Sequence, residues 1–407
     1  MLLTARLMSK YSVGLDVSAK EIHCCISFID AVLNVTVKAT RKVSNTAKGF
    51  RELDTWMSRH HKQKDSPLVV CMEATGIYFE NCALFLHKAG YTVSVILPNK
   101  AKKYLQASGL KSKNDRADAR GIAQMGAEKR LDIWSPMGEF FYQLRQLTRH
   151  HEDLQAMKSM AGNRLHAATK GMYTNKKVVS QLKRQITLID KQIADSVTAM
   201  EELINSDEKV KKKAANVCRM KGVGLLTVAT VLAETNGFAL FRNARQVVSF
   251  AGYDIVENQS GTRVGKTRIS KKGNSHIRRA LHMPALVTVM YRVKPFADIY
   301  ERTLAKHNIK MKSYVAVQKK LLTIIYAIWR KDEPFDESYI PKKQAEELEA
   351  ESPIASAANV VTAGKNECEK VVPTTRPALH KVSLTGEKSP YASSGMTNIK
   401  QMDGNVK

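Results

Sequence analysis

Apolar residues follow two rhythms in this chain. Up to about residue 130 they alternate with polar ones, or run in short blocks closed by turn residues, as strands do. Residues 11–17 predict a first strand, and 22–29 and 33–38 follow after turn signals as an antiparallel meander. Leu68–Glu73 (LVVCME) is a continuous apolar run ending on an acid, which fits a buried strand. Residues 91–97 predict another strand. Helical spacing appears at 49–61, 77–89, 100–107 and 115–128. Three meandering strands followed by alternating helices and strands is the order of a ribonuclease-H-like α/β fold.

Beyond about residue 139 the period lengthens. As far as 213 there is almost no Pro or Gly, and Leu182, Ile186, Ile189, Ile193 and Val197 recur every three or four residues, the spacing of a long amphipathic helix. Residues 171–174 mark the turn of an antiparallel pair, whose default meaning is packing, within the chain or against another copy. A third, mostly helical stretch opens with Met220-Lys221-Gly222-Val223-Gly224 and an apolar run to Leu232. After Pro341 the composition shifts to Ala, Ser, Thr, Glu and Lys without periodicity, which predicts a disordered tail. The expected divisions are 10–135, 136–213, 214–332 and the tail 341–407.

Charge narrows the partners. The chain has 65 Lys and Arg against 38 Asp and Glu, a net +27, and residues 1–340 hold 56 of those bases and 30 of those acids. A folded body that basic repels itself unless it meets a polyanion, so nucleic acid is the first partner to consider, with well-solvated surface charge the bland alternative. A hydrophobic content of 43% excludes a chain disordered throughout. No apolar run approaches the roughly 20 residues that span a bilayer. Residues 1–6 lack a charged segment followed by an apolar one, so no secretory signal is expected, and Met8 serves equally well as a start. Cys24, Cys25, Cys71, Cys82, Cys218 and Cys368 form no CxxC pair and sit mostly in apolar runs, as reduced core thiols in a cytoplasmic compartment do.

The candidate chemistry begins with acids in the wrong places. Asp16 lies inside an otherwise apolar strand, where a carboxylate is costly unless something such as a divalent cation compensates it. Glu73 closes the fourth strand, and if the first and fourth strands are neighbours the two acids stand side by side. Asp115 and Asp118 are spaced i, i+3 and project from one helix face. Singly each has an ordinary role: Asp115 as a helix cap, Asp118 paired with Arg116 or Arg120. Together the four suit two Mg²⁺ ions at a phosphodiester exchange.

A second constellation lies between 259 and 281. Ser260 stands in Gln259-Ser260-Gly261-Thr262-Arg263-Val264-Gly265-Lys266, followed by Ile269-Ser270-Lys271-Lys272-Gly273-Asn274 and by Ile277-Arg278-Arg279-Ala280-Leu281. A serine among cations has the setting to attack a phosphodiester; locally, a basic loop in which Ser260 only hydrogen-bonds phosphate is the simpler account. Gly222 and Gly224 ahead of a helix resemble the turn of a helix-hairpin-helix, where backbone amides bind phosphate without reading sequence, although any tight turn uses such glycines.

In this order, GLDVSAK (14–20), MEATGIY (72–78), KNDRADARGIA (113–123), KGVG (221–224) and QSG…ISKKGNSHIRRAL (259–281) resemble bacterial insertion-sequence transposases of the IS110 family, related to Piv-type DNA invertases, over about 11–330. The resemblance implies a DEDD domain with a Holliday-junction-resolvase-like fold, Asp16, Glu73, Asp115 and Asp118 holding Mg²⁺ or Mn²⁺. It implies a C-terminal transposase domain whose nucleophile is Ser260, with Ser270 the second candidate. Arg263, Lys266, Lys271, Lys272 and Arg278 then hold flanking phosphates. Implied partners are double-stranded DNA at element ends and target, an element-encoded structured RNA that base-pairs with both, and further copies of the chain in a dimer or tetramer. The place of action is the bacterial cytoplasm and its nucleoid. Two departures stand out: Tyr253-Asp254 replaces an expected apolar, proline-containing turn, and the tail has no counterpart. A metal-only junction resolvase or nuclease is the alternative activity, and a nucleic-acid-binding scaffold a third.

Overall fold

The computed structural model describes residues 9–109, 114–265 and 267–336; Lys266 and the expected tail at 341–407 lie outside them. One mixed sheet holds β1 (Lys10–Val17), β2 (Glu21–Ile29), β3 (Val35–Ser44), β4 (Leu68–Glu73) and β5 (Thr92–Ile96). Its order is β3-β2-β1-β4-β5, the first three antiparallel and β4 and β5 parallel to β1. This is the ribonuclease-H-like arrangement expected from the meander.

The third strand begins and ends later than its apolar pattern indicates. Asp30 Oδ1 accepts from the amides of Val32 and Asn34, and Leu33 takes φ +68°, so 30–34 is a turn. Downstream the strand runs on to Ser44 through mostly exposed residues, because an edge strand needs backbone partners more than an apolar face.

Alternation along β1 sends Tyr11, Val13, Leu15 and Val17 into one layer. There they meet Phe50, Leu53, Trp56 and Met57 of α1 (Ala47–His60) and Cys82, Ala83 and Leu86 of α2 (Glu80–Lys88). Ser12, Gly14 and Asp16 face the other way. That layer is covered by α3 (Pro98–Ala107) and α4 (Asp115–Glu128), with Cys71, Ile96, Ala101, Ile122 and Met125 in contact.

α5 (Glu139–Lys170) and α6 (Lys176–Asn205) form the expected antiparallel pair, turning at 171–175. Their near ends share one core with α7 (Glu208–Cys218), α8 (Leu225–Thr235), α9 (Ala244–Phe250), α10 (Ser275–Ala280), α11 (His282–Met290), α12 (Lys294–His307) and α13 (Lys310–Lys331): Leu144, Met200 and Ile204 are buried with Val228, Phe238, Phe296 and Leu321. Between α9 and α10 lie four two-residue strands, β6 (Ile255–Val256), β7 (Gln259–Ser260), β8 (Arg263–Val264) and β9 (Arg268–Ile269), paired β6 with β9 and β7 with β8. Among the described residues no helix is long and apolar enough to cross a membrane.

Candidate active site

The acids come together through three elements. Leu15 pairs with Met72 in the parallel β1–β4 register, so Asp16 falls beside Glu73 at the same sheet end. α4 reaches this end because its path is cleared of side chains. A Cβ on Gly14 would run into the Ala119 carbonyl oxygen and the Ala123 amide, and one on Gly126 into Ser12 Oγ and Cys71 Sγ. Asn114 caps α4 by accepting from the Ala117 amide, so Asp115 is not the cap and both Asp115 and Asp118 lie in the first turn. Anions are favoured there by the helix dipole.

The four carboxylates feel one another. Burial, then the charges of Asp115, Asp118 and Glu73, push the Asp16 carboxyl up to about 6, with His23 opposing them. Among the described residues no three His, Cys, Asp or Glu side chains stand close enough to hold an ion between them, so the acids are gathered but not closed. An all-oxygen donor set of four carboxylates from neighbouring elements suits a hard divalent cation.

His23 was not anticipated. It pairs with Asp16 across β1 and β2, and its Nδ1 lies 3.5 Å from Asp115 Oδ2. The signal was present: in EIHCCISFI it is a polar interruption like Asp16 itself, and the short Ser18–Lys20 turn places the two opposite each other.

Ser260 sits far along a ribbon whose neck is closely bonded. The Asn274 amide donates to the Phe250 carbonyl (2.8 Å), that of Lys271 to Gly252 (3.1 Å), and that of Ser270 to Asp254 (2.7 Å). From there β6–β9 and β7–β8 carry the chain to the turn Ser260-Gly261-Thr262-Arg263, where Gly261 takes φ +55°. Ser260 is exposed, and among the described residues nothing hydrogen-bonds its hydroxyl. Ser270, in contrast, belongs to the neck: its Oγ donates to the Gly252 carbonyl at 3.3 Å and accepts from the Lys272 amide at 3.3 Å.

The expected phosphate contacts divide. Arg263, Lys271 and Lys272 are exposed. Arg278 turns inward instead, its Nη1 donating to the carbonyls of Ala251 (2.8 Å), Gly273 (3.2 Å) and Asn274 (3.1 Å). Gly222, at φ +87°, is held against α11, where a Cβ would lie 2.8 Å from Val287 Cγ1, whereas Gly224 caps α8 and faces open space. Tyr253 and Asp254 have local reasons: Tyr253 is buried and donates to Gln318 Oε1 at 3.0 Å, and Asp254 Oδ2 accepts from Ser249 Oγ at 2.5 Å.

Two family models match the chain, one described as "Transposase" (the DEDD type of IS110) over residues 13–174, the other as "Transposase IS116/IS110/IS902 family" over 214–301. A pilin gene-inverting protein of Moraxella bovis is 28% identical over 332 residues, 81% of this chain and 98% of the relative. A transposase for insertion sequence element IS1111A from Coxiella burnetii is 23% identical over 278 residues, covering 60% of this chain and 73% of that protein. The Thermus thermophilus RuvC structure aligns with 30% of this chain and 99% of its own, at 13% identity and a TM-score of 0.24.

Proposed function

The chain belongs to the IS110 family of transposases, enzymes that act on DNA, and from that premise we propose that it exchanges the DNA strands of an insertion sequence with a serine nucleophile beside a metal-binding acid site. Residues 10–135 are the DEDD metal domain, Holliday-junction-resolvase-like in kind; 136–213 the helical arm; and 214–332 the serine transposase domain, with a helix-hairpin-helix-like turn between α7 and α8.

Ser260 Oγ attacks a phosphodiester, forming a phosphoserine link and releasing a 3′-OH. The 3′-OH of a partner strand then attacks that phosphorus and returns the serine hydroxyl, so no free end persists. Asp16, Glu73, Asp115 and Asp118 would hold Mg²⁺ or Mn²⁺, which supplies electrostatic stabilisation to the scissile phosphate and the leaving oxygen. Asp115 can ligate through Oδ1 while its Oδ2 faces His23. Arg263, Lys266, Lys271, Lys272 and the amides near Gly224 grip flanking phosphates. A structured RNA encoded by the element supplies sequence by base pairing, and the sites combine in a dimer or tetramer. The basic body fits such a division, in which the protein grips backbones.

The observation that carries this reading is the convergence of Asp16, Glu73 and the first turn of α4 at one end of the sheet. Four acids from β1, β4 and α4 are placed where they repel, an arrangement a packing role alone does not call for. That no group among the described residues bonds the exposed Ser260 hydroxyl, so that no base is in place to activate it, favours a second reading, a metal-dependent nuclease in which the serine only binds phosphate. A trapping assay separates the two. Protein with copurified RNA, Mg²⁺ and labelled element-end DNA is quenched in denaturant and searched for a protein–DNA adduct. An adduct mapping to Ser260 and lost in Ser260→Ala is expected; cleavage without an adduct, still needing Asp16 and Glu73, would establish the nuclease.

A further inference from the structure

The α5–α6 pair is electrically divided along its length. Its far half, residues 158–191, carries eight Lys and Arg against the one acid Asp190, while 139–157 and 192–208 together carry two against eight. Among the described residues only Lys158 in the far half has an acidic partner, Asp190 at 2.6 Å. The other seven cations are exposed. Like charges one helical turn apart destabilise the helix that bears them, so such an arm is suited to being met by a polyanion.

The cations are also in line. Lys176, Ser180, Lys183, Arg184, Thr187 and Lys191 border one shallow groove on α6, with Val179 and Leu188 along its floor. Steps of three or four residues put successive positions about 5–6 Å apart along the axis. Ser180 and Thr187 are small enough to let a strand lie close between the long cations, and Arg164 and Lys170 add charge from α5. Over its 16 residues this stretch of α6 is about 24 Å long, and duplex DNA offers one phosphate per roughly 1.7 Å of axis.

We propose that the far half of the α5–α6 pair is a second DNA-binding surface, which holds the phosphate backbone of duplex DNA along α6 without reading its sequence. A second copy of the chain is the competing occupant, since the near half of the pair is acidic. Several of those acids are already engaged, however: Glu152 with His276 and Arg279, Glu208 with Lys211, and Asp207 as the α7 cap. The inference rests on the chain acting on DNA and is independent of which residue attacks.

The test uses the full-length Lys183→Gln/Arg184→Gln/Lys191→Gln protein and a random-sequence DNA duplex, with affinity measured across salt concentrations. Expected is binding weaker by about tenfold or more at low salt, and a log–log salt slope shallower by about 2 to 3. The charge-preserving Lys183→Arg/Arg184→Lys/Lys191→Arg protein should bind like the parent. Circular dichroism and melting establish that the arm is folded; if the glutamine variant is not, Arg164→Gln/Lys170→Gln on α5 is read instead, with a slope change of up to about 2. An unchanged slope overturns the proposal. So does a loss confined to duplex RNA, or a changed sedimentation coefficient with the parent's DNA affinity, which would make the arm a contact between copies.

Discussion

Asp16 is the residue on which stability and chemistry pull in opposite directions. A carboxyl whose folded pKa is raised holds its proton more tightly when folded. Stability is therefore lost as pH climbs from the ordinary value near 3.8 through about 6, and the whole penalty is felt above that. Allowing for partial exposure, the penalty is roughly 1–2 kcal/mol. Without metal, Asp16→Asn should thus make the protein more stable at pH 8 and change little at pH 4, as read by urea denaturation, whereas with Mg²⁺ present it should lose strand exchange. Mg²⁺ should raise the melting temperature of the parent at pH 8 and leave the variant where it was. A variant less stable than the parent at pH 8 would show that the four acids do not repel as their placement implies. Asp16 was identifiable in the sequence because an acid interrupts an apolar strand. His23 interrupts β2 in the same way, but its meaning depends on strand pairing, and pairing is set by the turn at 18–20 rather than by the composition of β2.

Two elements position the candidate chemistry, and they differ in how plainly the sequence shows them. Helix α4 has the bounds that its spacing predicts, since its apolar stripe is a local signal, although its cap is Asn114 and not Asp115. What brings its acids to the sheet is a close approach that only glycine permits. Gly14→Ala meets three backbone atoms of α4 and should cost about 3 kcal/mol or more. It should also remove activity with all four acids intact, whereas Gly126→Ala, which meets side-chain atoms, should cost less; chemical denaturation of both variants ranks them. The Ser260 ribbon is harder to see in advance. Its strands are two residues long, too short to show an apolar alternation, and the bonds that hold its neck are mainly between backbone groups. Those bonds also reassign Arg278, whose place in a basic block pointed to phosphate. Arg278→Lys keeps the charge, but its shorter stem without the planar guanidinium does not bring a nitrogen to the place of Nη1 among the three carbonyls, so strand exchange should fall about tenfold or more with DNA affinity and salt slope unchanged. Weakened binding with a shallower slope would return Arg278 to the phosphate contacts.

One face of α5 joins the α/β unit to the helical body. Tyr142 donates to Glu80 Oε2 of α2 at 2.7 Å, and Arg145 lies 3.6 Å from Glu80 Oε1. One turn further, Arg149 forks onto Glu234 of α8 at 2.7 and 3.0 Å, and Glu152 meets His276 and Arg279 of α10. Steps of three and four residues keep all of these on the same side of the helix. α2 begins seven residues after Glu73, and α10 begins one residue after Asn274 at the ribbon's neck, so this face connects the surroundings of both candidate centres. The two joints differ in cost. Glu234 has a side chain only 2% exposed; burial alone would raise its pKa, yet the bonds from Arg149 and Asn274 hold it below the ordinary value. Arg149→Ala strands that charge and should destabilise the protein by about 3–5 kcal/mol. Glu80 is more open, and an ion pair of that kind is worth about 1 kcal/mol or less. Glu80→Ala should therefore leave the melting temperature and its response to Mg²⁺ nearly unchanged. If α5 sets the spacing of acid site and ribbon, the same substitution should nonetheless slow strand exchange by about tenfold, because a joint reaction needs both centres in register. Parent-like exchange by Glu80→Ala would show that the two centres find each other without this strut, each carried by its own unit.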